Sequence, residues 1–203
     1  MSTGSTDRAR GARRLVILGD ELITGFGDPR ALGWVGRLAA RTPPLEVLTT
    51  ALAVPGETTT DLAARWEREA ALRQGGAGTY LVLAPGAHDL AAGLSMARSR
   101  LNLANMLDAA TSAHIPVLVV GPPPRSDLDP AGLAALSAAF ADVCVRRGVT
   151  YVDSHAALHD HDQWHADLAA GDGIHPGQAG YSLLAWLVDH HGWANWLGID
   201  LAE

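Results

Sequence analysis

Five short apolar runs punctuate this chain: Leu15–Leu18, Val47–Ala53, Tyr80–Ala84, Val117–Val120 and Thr150–Val152. Each is too short for a helix and is separated from the next by a longer stretch with helical spacing of apolar residues. Leu62, Trp66 and Ala70 follow a Thr58–Thr60 run whose hydroxyls suit a helix N-cap. Leu94, Ala97, Leu101, Ala104 and Leu107 step the same way, as do Leu133, Leu136, Phe140 and Val143, and then Tyr181, Leu184 and Val188. Strands joined by helical crossovers pair in parallel, and a parallel sheet must be covered on both faces. The pattern therefore predicts a three-layer α/β/α fold with a central five-stranded parallel sheet. Pro122-Pro123-Pro124 ends the fourth run and forces an extended exit.

At 203 residues, with no internal repeat and no linker, the chain reads as one domain over residues 15–203. Residues 1–14 carry Arg8, Arg10, Arg13 and Arg14 and read as a disordered N-terminal tail. The apolar run after those arginines is too short for a signal peptide, and nothing approaches a membrane span. A net charge of −7 with scattered basic residues argues against a nucleic-acid partner. The lone Cys144 excludes an internal disulfide, falls in a helical pattern as a core residue, and makes cytoplasmic the expected location. No cofactor is implied, and the sequence does not specify an oligomeric state.

Open parallel sheets bind ligands beyond the carboxyl ends of their strands. The exits from the first three runs are Gly19-Asp20-Glu21, Pro55-Gly56-Glu57-Thr58 and Pro85-Gly86-Ala87-His88-Asp89, each with a glycine that lets backbone approach a ligand. Near the end stands Asp172-Gly173-Ile174-His175-Pro176. Taken in order, these four segments resemble the motif blocks of the SGNH/GDSL hydrolases, a GDSL-like lipase and esterase family, from about Leu15 to Val188. The resemblance implies a flavodoxin-like SGNH-hydrolase fold, ester chemistry, and a small-molecule ester or acyl ligand. It implies roles as well. Asp172 and His175 look like the orienting acid and general base, and Gly56 like an oxyanion-hole N–H donor. On the bare residues, Asp172 equally fits a cap for the helix starting near Pro176, and Gly56 a turn glycine.

Two positions depart from the family. Where its nucleophilic serine follows Gly-Asp, this chain has Glu21, with only Thr24, a helical turn onward, as a nearby hydroxyl. Where the family's Gly-x-Asn-Asp block places an oxyanion-binding asparagine, this chain has His88, followed by Asp89 as a loop brace. Losing a triad serine costs roughly a millionfold in turnover. A carboxylate about 4 Å from a developing oxyanion adds about 4 kcal/mol of repulsion at an effective dielectric near 20. Three functions fit. One is a pseudoenzyme that keeps the ester-binding cleft. Another is a hydrolase using Glu21 as general base or nucleophile beside Asp172 and His175. The last is a metal site of Glu21, His88 and His175. The run of His155, His159, His161 and His165 reads as a solvated polar segment, although helical pairs within it have metal-clasping spacing. Trp193 and Trp196 read as packing anchors, and Trp164 as either an anchor or a stacking surface in the cleft.

Overall fold

The structure, a computed structural model, describes residues 11–43 and 45–200. Its strands are β1 (Arg13–Gly19), β2 (Val47–Ala53), β3 (Thr79–Ala84), β4 (Val117–Val120) and β5 (Thr150–Val152). They form one parallel sheet in the order β2-β1-β3-β4-β5. The helices are α1 (Gly33–Arg41), α2 (Thr59–Ala71), α3 (His88–Ala91), α4 (Met96–Ser112), α5 (Pro130–Val145), α6 (Ser154–Leu158), α7 (Asp162–Ala169), α8 (Gln178–His190) and α9 (Trp193–Leu197). The chain leaves β1 toward β2 on one side and returns to pair β3 on the other. This reversal opens a crevice beyond the strand ends. Register levels its floor, because Gly19 stands opposite both Ala53 and Ala84.

Alternation along β1 sorts the two faces. Leu15 and Ile17 join Trp34 and Leu38 of α1, Trp164 and Leu168 of α7, and Tyr181, Leu184 and Val188 of α8. Val16 and Leu18 join Leu62 and Trp66 of α2, Leu103, Met106 and Leu107 of α4, and Leu136, Phe140 and Cys144 of α5. Burial pushes the Cys144 thiol up to about 12, so it packs as an inert core residue. Helix α2 starts on a capping box: Thr58 Oγ1 accepts the Asp61 N–H while the Asp61 carboxylate accepts the Thr58 N–H at 3.1 Å. Helix α5 starts on Asp129, with Pro130 in the first turn, where its missing N–H costs nothing.

The fold differs from the sequence expectation in particulars. β1 begins at Arg13, so Arg13 and Arg14 belong to the sheet rather than to a tail ending at residue 14. The Arg13 and Arg14 N–H groups donate to Glu46 O and Gly78 O, and Arg13 Nη2 to Gly198 O. Of the rest of the expected tail, Ala12 is buried and its carbonyl accepts the Ala77 N–H, while residues 1–10 lie outside the described residues. On α4 the buried stripe is Ser99, Asn102, Leu103, Met106, Leu107 and Ala110; the expected Leu107 is in it and Ala104 packs against it, whereas Ala97 and Leu101 are exposed. The phase shifts because Asn102 turns inward, its Nδ2 donating to Thr59 Oγ1 and Thr60 Oγ1 at 3.0 Å each. Trp164 has no exposed surface to stack on; its Nε1–H donates to Pro124 O at 3.1 Å and anchors the proline exit. Trp193 is buried, and Trp196 packs edge-on to Tyr80.

Candidate active site

The exits from β1, β2 and β3 supply the groups that meet in the crevice. After β1, Asp20 caps a short 3-10 turn at Glu21–Thr24, its Oδ1 accepting the Leu22 N–H at 3.0 Å. Asp20 is buried, and its second oxygen, Oδ2, lacks a hydrogen-bond partner while lying 3.5 Å from His88 Nε2. Glu21 leaves the first position of that turn. After β2, Gly56 takes a positive φ of 73°, and its N–H donates to Glu21 Oε2 at 2.8 Å. After β3, Gly86 packs so tightly on Asp20 that a Cβ there would overlap the carboxylate. His88 opens α3, and its Nε2 lies 3.0 Å from Glu21 Oε1. Asp89 points away from the crevice and accepts Thr59 N–H and Oγ1–H at 2.6 and 2.7 Å, tying the third exit to the start of α2.

Before α8, Asp172 Oδ1 accepts the N–H groups of Ile174 (2.9 Å) and His175 (2.8 Å), which closes a tight turn. Its Oδ2 accepts His175 Nδ1–H at 2.6 Å, leaving His175 Nε2 3.3 Å from Glu21 Oε1. The segment after the 3-10 turn buttresses His175. Phe26, 61% exposed, meets the imidazole edge-on with ring centres 4.7 Å apart. Gly27 lies against His175 and Pro176. Buried Asp28 holds this segment in place by accepting the N–H groups of Arg30, Leu32 and Gly33 and pairing with Arg37. Arg37 reaches on to Gln178 O and Ser182 Oγ of α8.

Glu21 thus sits among Gly56, His88 and His175, and the electrostatics follow. Burial pushes the Glu21 carboxyl up, but hydrogen bonds from His88, from the Gly56 N–H and from its own N–H outweigh that and hold it well below the usual carboxylate range. The nearby Asp20 carboxylate first, and then the Glu21 carboxylate, raise His88 to about 9 against the opposing effect of burial. At neutral pH this is an ionised carboxylate facing a charged imidazole. Asp172 is also held low, by the His175 N–H first, then the His175 ring and the Ile174 N–H. Both His175 ring nitrogens face carboxylate oxygens, Nδ1 that of Asp172 and Nε2 that of Glu21. Thr24 is no substitute nucleophile, because its hydroxyl donates to Glu21 O at 2.8 Å.

All five residues singled out in the sequence, Glu21, Gly56, His88, Asp172 and His175, meet here. Three others went unread. Asp20 was seen only as part of the Gly-Asp string. Phe26 had only its flanking glycines as a signal. Arg125 follows the proline exit of β4; it is bidentate on Asp127 at 2.9 and 2.7 Å, with Nη1 3.5 Å from His88 Nε2. Among the described residues, one group has ligand atoms close enough to share a metal ion: Asp20, Glu21 and His88. The histidine run after β5 forms no such group. His155 and His159 stack 5.6 Å apart at α6, and His165 is exposed.

A comparison with curated protein sequences gives no match. Among solved structures, the chain is similar to the lipase/acylhydrolase from Enterococcus faecalis, with a TM-score of 0.75 and 22% identity over 94% of this chain and 97% of that one. It is similar to an acetylxylan esterase from Geobacillus stearothermophilus, with a TM-score of 0.72 and 19% identity over 95% and 97%. A psychrotrophic esterase from Pseudoalteromonas sp., in a structure inhibited by monoethylphosphonate, gives a TM-score of 0.71 and 18% identity over 90% and 98%. These likenesses establish the SGNH-hydrolase type of α/β fold. Among the described residues no helix is long and apolar enough to cross a membrane. The GDSL-like lipase/acylhydrolase family model matches residues 17–183, which takes in the end of β1, all four motif blocks and the start of α8, and the chain belongs to that family.

Proposed function

We propose that this chain is an ester- or acyl-binding member of the family whose ordinary esterase activity is lost or strongly reduced. Glu21 stands in place of the attacking serine, and His88 in place of the oxyanion asparagine. The observation that carries this reading is the 2.8 Å hydrogen bond from the Gly56 N–H to Glu21 Oε2. That N–H is the donor a substrate carbonyl would need, and a carboxylate already accepts it, much as an acid product would. Admitting a carbonyl means breaking charge-assisted hydrogen bonds from Gly56 and His88, at about 1.5–3 kcal/mol each. Even then no hydroxyl is in place to attack. The ligand cleft in this reading is the groove of about 400 Å³ beside His175, lined by Phe26, Pro29, Ala170, Asp172 and Gln178. Short p-nitrophenyl esters test the proposal: the wild type and Glu21→Ala should both stay at buffer background. The lone, buried Cys144 supports a cytoplasmic location for this ester- or acyl-binding role.

A second reading draws support from the unbroken line of contacts from Asp172 through His175 to Glu21. In it, the Glu21 carboxylate attacks the acyl carbon of an ester, the ester C–O bond breaks and the alcohol leaves after taking up a proton, and His175 then assists water in hydrolysing the resulting anhydride to Glu21 and the free acid. One turnover in ¹⁸O-water separates the two readings. Label carried into Glu21 supports the covalent route, and its absence without product removes it.

A further inference from the structure

The geometry points to a divalent metal site formed by Asp20 Oδ2, Glu21 Oε1 and His88 Nε2, suited to Zn²⁺ or Mn²⁺. This goes beyond the ester-binding reading and does not depend on it. The three atoms all lie within 4.8 Å of one another, with His88 Nε2 3.5 Å from Asp20 Oδ2 and 3.0 Å from Glu21 Oε1. Ligand atoms arranged tetrahedrally around Zn²⁺ are about 3.4 Å apart, given metal–ligand bonds near 2.1 Å. The two distances to His88 Nε2 bracket that spacing.

The second observation is independent of the clustering. Asp20 is 2% exposed, and Oδ2 is a buried carboxylate oxygen without a hydrogen-bond partner, aimed at the His88 nitrogen. Such atoms are rare in folded proteins because desolvation without a partner is costly. A cation removes that cost. Each carboxylate is also oriented by its other oxygen, Asp20 Oδ1 on the Leu22 N–H and Glu21 Oε2 on the Gly56 N–H. Outer contacts of this sort are what fix ligands in built metal sites. Binding displaces the proton that His88 Nε2 carries between the two carboxylates, and two carboxylates with the resulting neutral imidazole balance a divalent charge and match the donor preferences of Zn²⁺ and Mn²⁺. The nearest fixed cation, Arg125, is paired with Asp127 through both Nε and Nη2, which offsets its charge. Expecting His175 as the third ligand misjudged the triangle. His175 is held by Asp172, and Asp20 completes the group instead.

The test is isothermal titration calorimetry of Zn²⁺ and Mn²⁺ into the untagged full chain after chelator treatment, with circular dichroism to confirm that each variant is folded. The expected result is a single saturable site, weakened at least about tenfold by Glu21→Gln and by His88→Gln, and unchanged by His159→Gln/His165→Gln in the exposed histidine run. Glu21 and His88 are chosen because Asp20 is a buried cap whose loss can unfold the β1 exit. No saturable binding overturns the site, as does wild-type affinity in either Glu21→Gln or His88→Gln. Loss in the exposed-histidine variant assigns the ion to the surface and equally overturns it. None of these readouts is an esterase rate, so failure here leaves the ester-binding proposal standing.

Discussion

Replacing Glu21 with serine is the most informative perturbation of this site, because it removes one obstacle and restores one reactant. The obstacle is electrostatic. Glu21 Oε2 lies 2.8 Å from the Gly56 nitrogen, in the place a tetrahedral oxyanion would occupy. A carboxylate pushed aside to about 4 Å would still repel that oxyanion by about 4 kcal/mol at an effective dielectric near 20. That is close to a thousandfold in rate. The reactant is a hydroxyl beside His175, whose Nδ1 is already fixed by Asp172 at 2.6 Å. Loss of an oxyanion donor costs about a hundred- to a thousandfold. With His88 standing in for an amide, Glu21→Ser should therefore fall short of a full esterase yet exceed background by at least about a hundredfold. Initial rates on p-nitrophenyl acetate, with Glu21→Ala as the variant lacking any nucleophile, provide the assay. Adding His175→Ala to Glu21→Ser should return the rate to background. Robust wild-type turnover that Glu21→Ala abolishes would refute the reasoning.

Other expectations concern the scaffold that holds the site. The Arg37 guanidinium beside buried Asp28 holds its carboxyl at about 2, below its ordinary value, so its contribution of about 2 kcal/mol is present above about pH 4 and lost as pH falls toward 2. Urea unfolding of wild type and Asp28→Asn should converge over that window; parallel curves down to the acid limit would exclude the ion pair as the cause. Gly86→Ala should destabilise by about 1–3 kcal/mol, since a Cβ there collides with Asp20. An unchanged melting temperature would mean that the two exits are not packed as described. Asp89→Asn should cost about 1.5–3 kcal/mol by weakening its hydrogen bonds with Thr59. A chemical-denaturation midpoint within error of wild type would contradict that brace.

The sheet was legible because its strands are short, mostly apolar runs set between longer helical stretches; β4 is buried throughout, while the edge strands β2 and β5 are partly exposed. Val47–Ala53, Val117–Val120 and Thr150–Val152 coincide with β2, β4 and β5. β1 gained Arg13 and Arg14 because strand pairing constrains backbone, and an arginine can pair there while its side chain reaches solvent. Helix α4 was misphased because its buried stripe includes Ser99 and Asn102, polar residues that periodicity assigns to water. Helix α1 went unread although Trp34, Val35 and Leu38 line its inner face, since Leu32-Gly33 breaks the pattern at its start. In the site, side chains delivered by the family blocks could be named. Asp20 and Arg125 could not, because their importance lies in distances to His88 across 68 and 37 residues of sequence, and spacing along the chain carries no trace of that.

The account turns on an ionised Glu21 accepting the Gly56 amide. NMR can follow the labelled Glu21 side-chain carboxyl carbon and the Gly56 amide proton together as pH is lowered. If the contact exists, neither signal titrates through the ordinary glutamate range near 4.3, and the Gly56 amide shifts upfield in Glu21→Ala. A carboxyl that titrates there, with a Gly56 amide indifferent to the substitution, would leave the oxyanion position open and contradict the account.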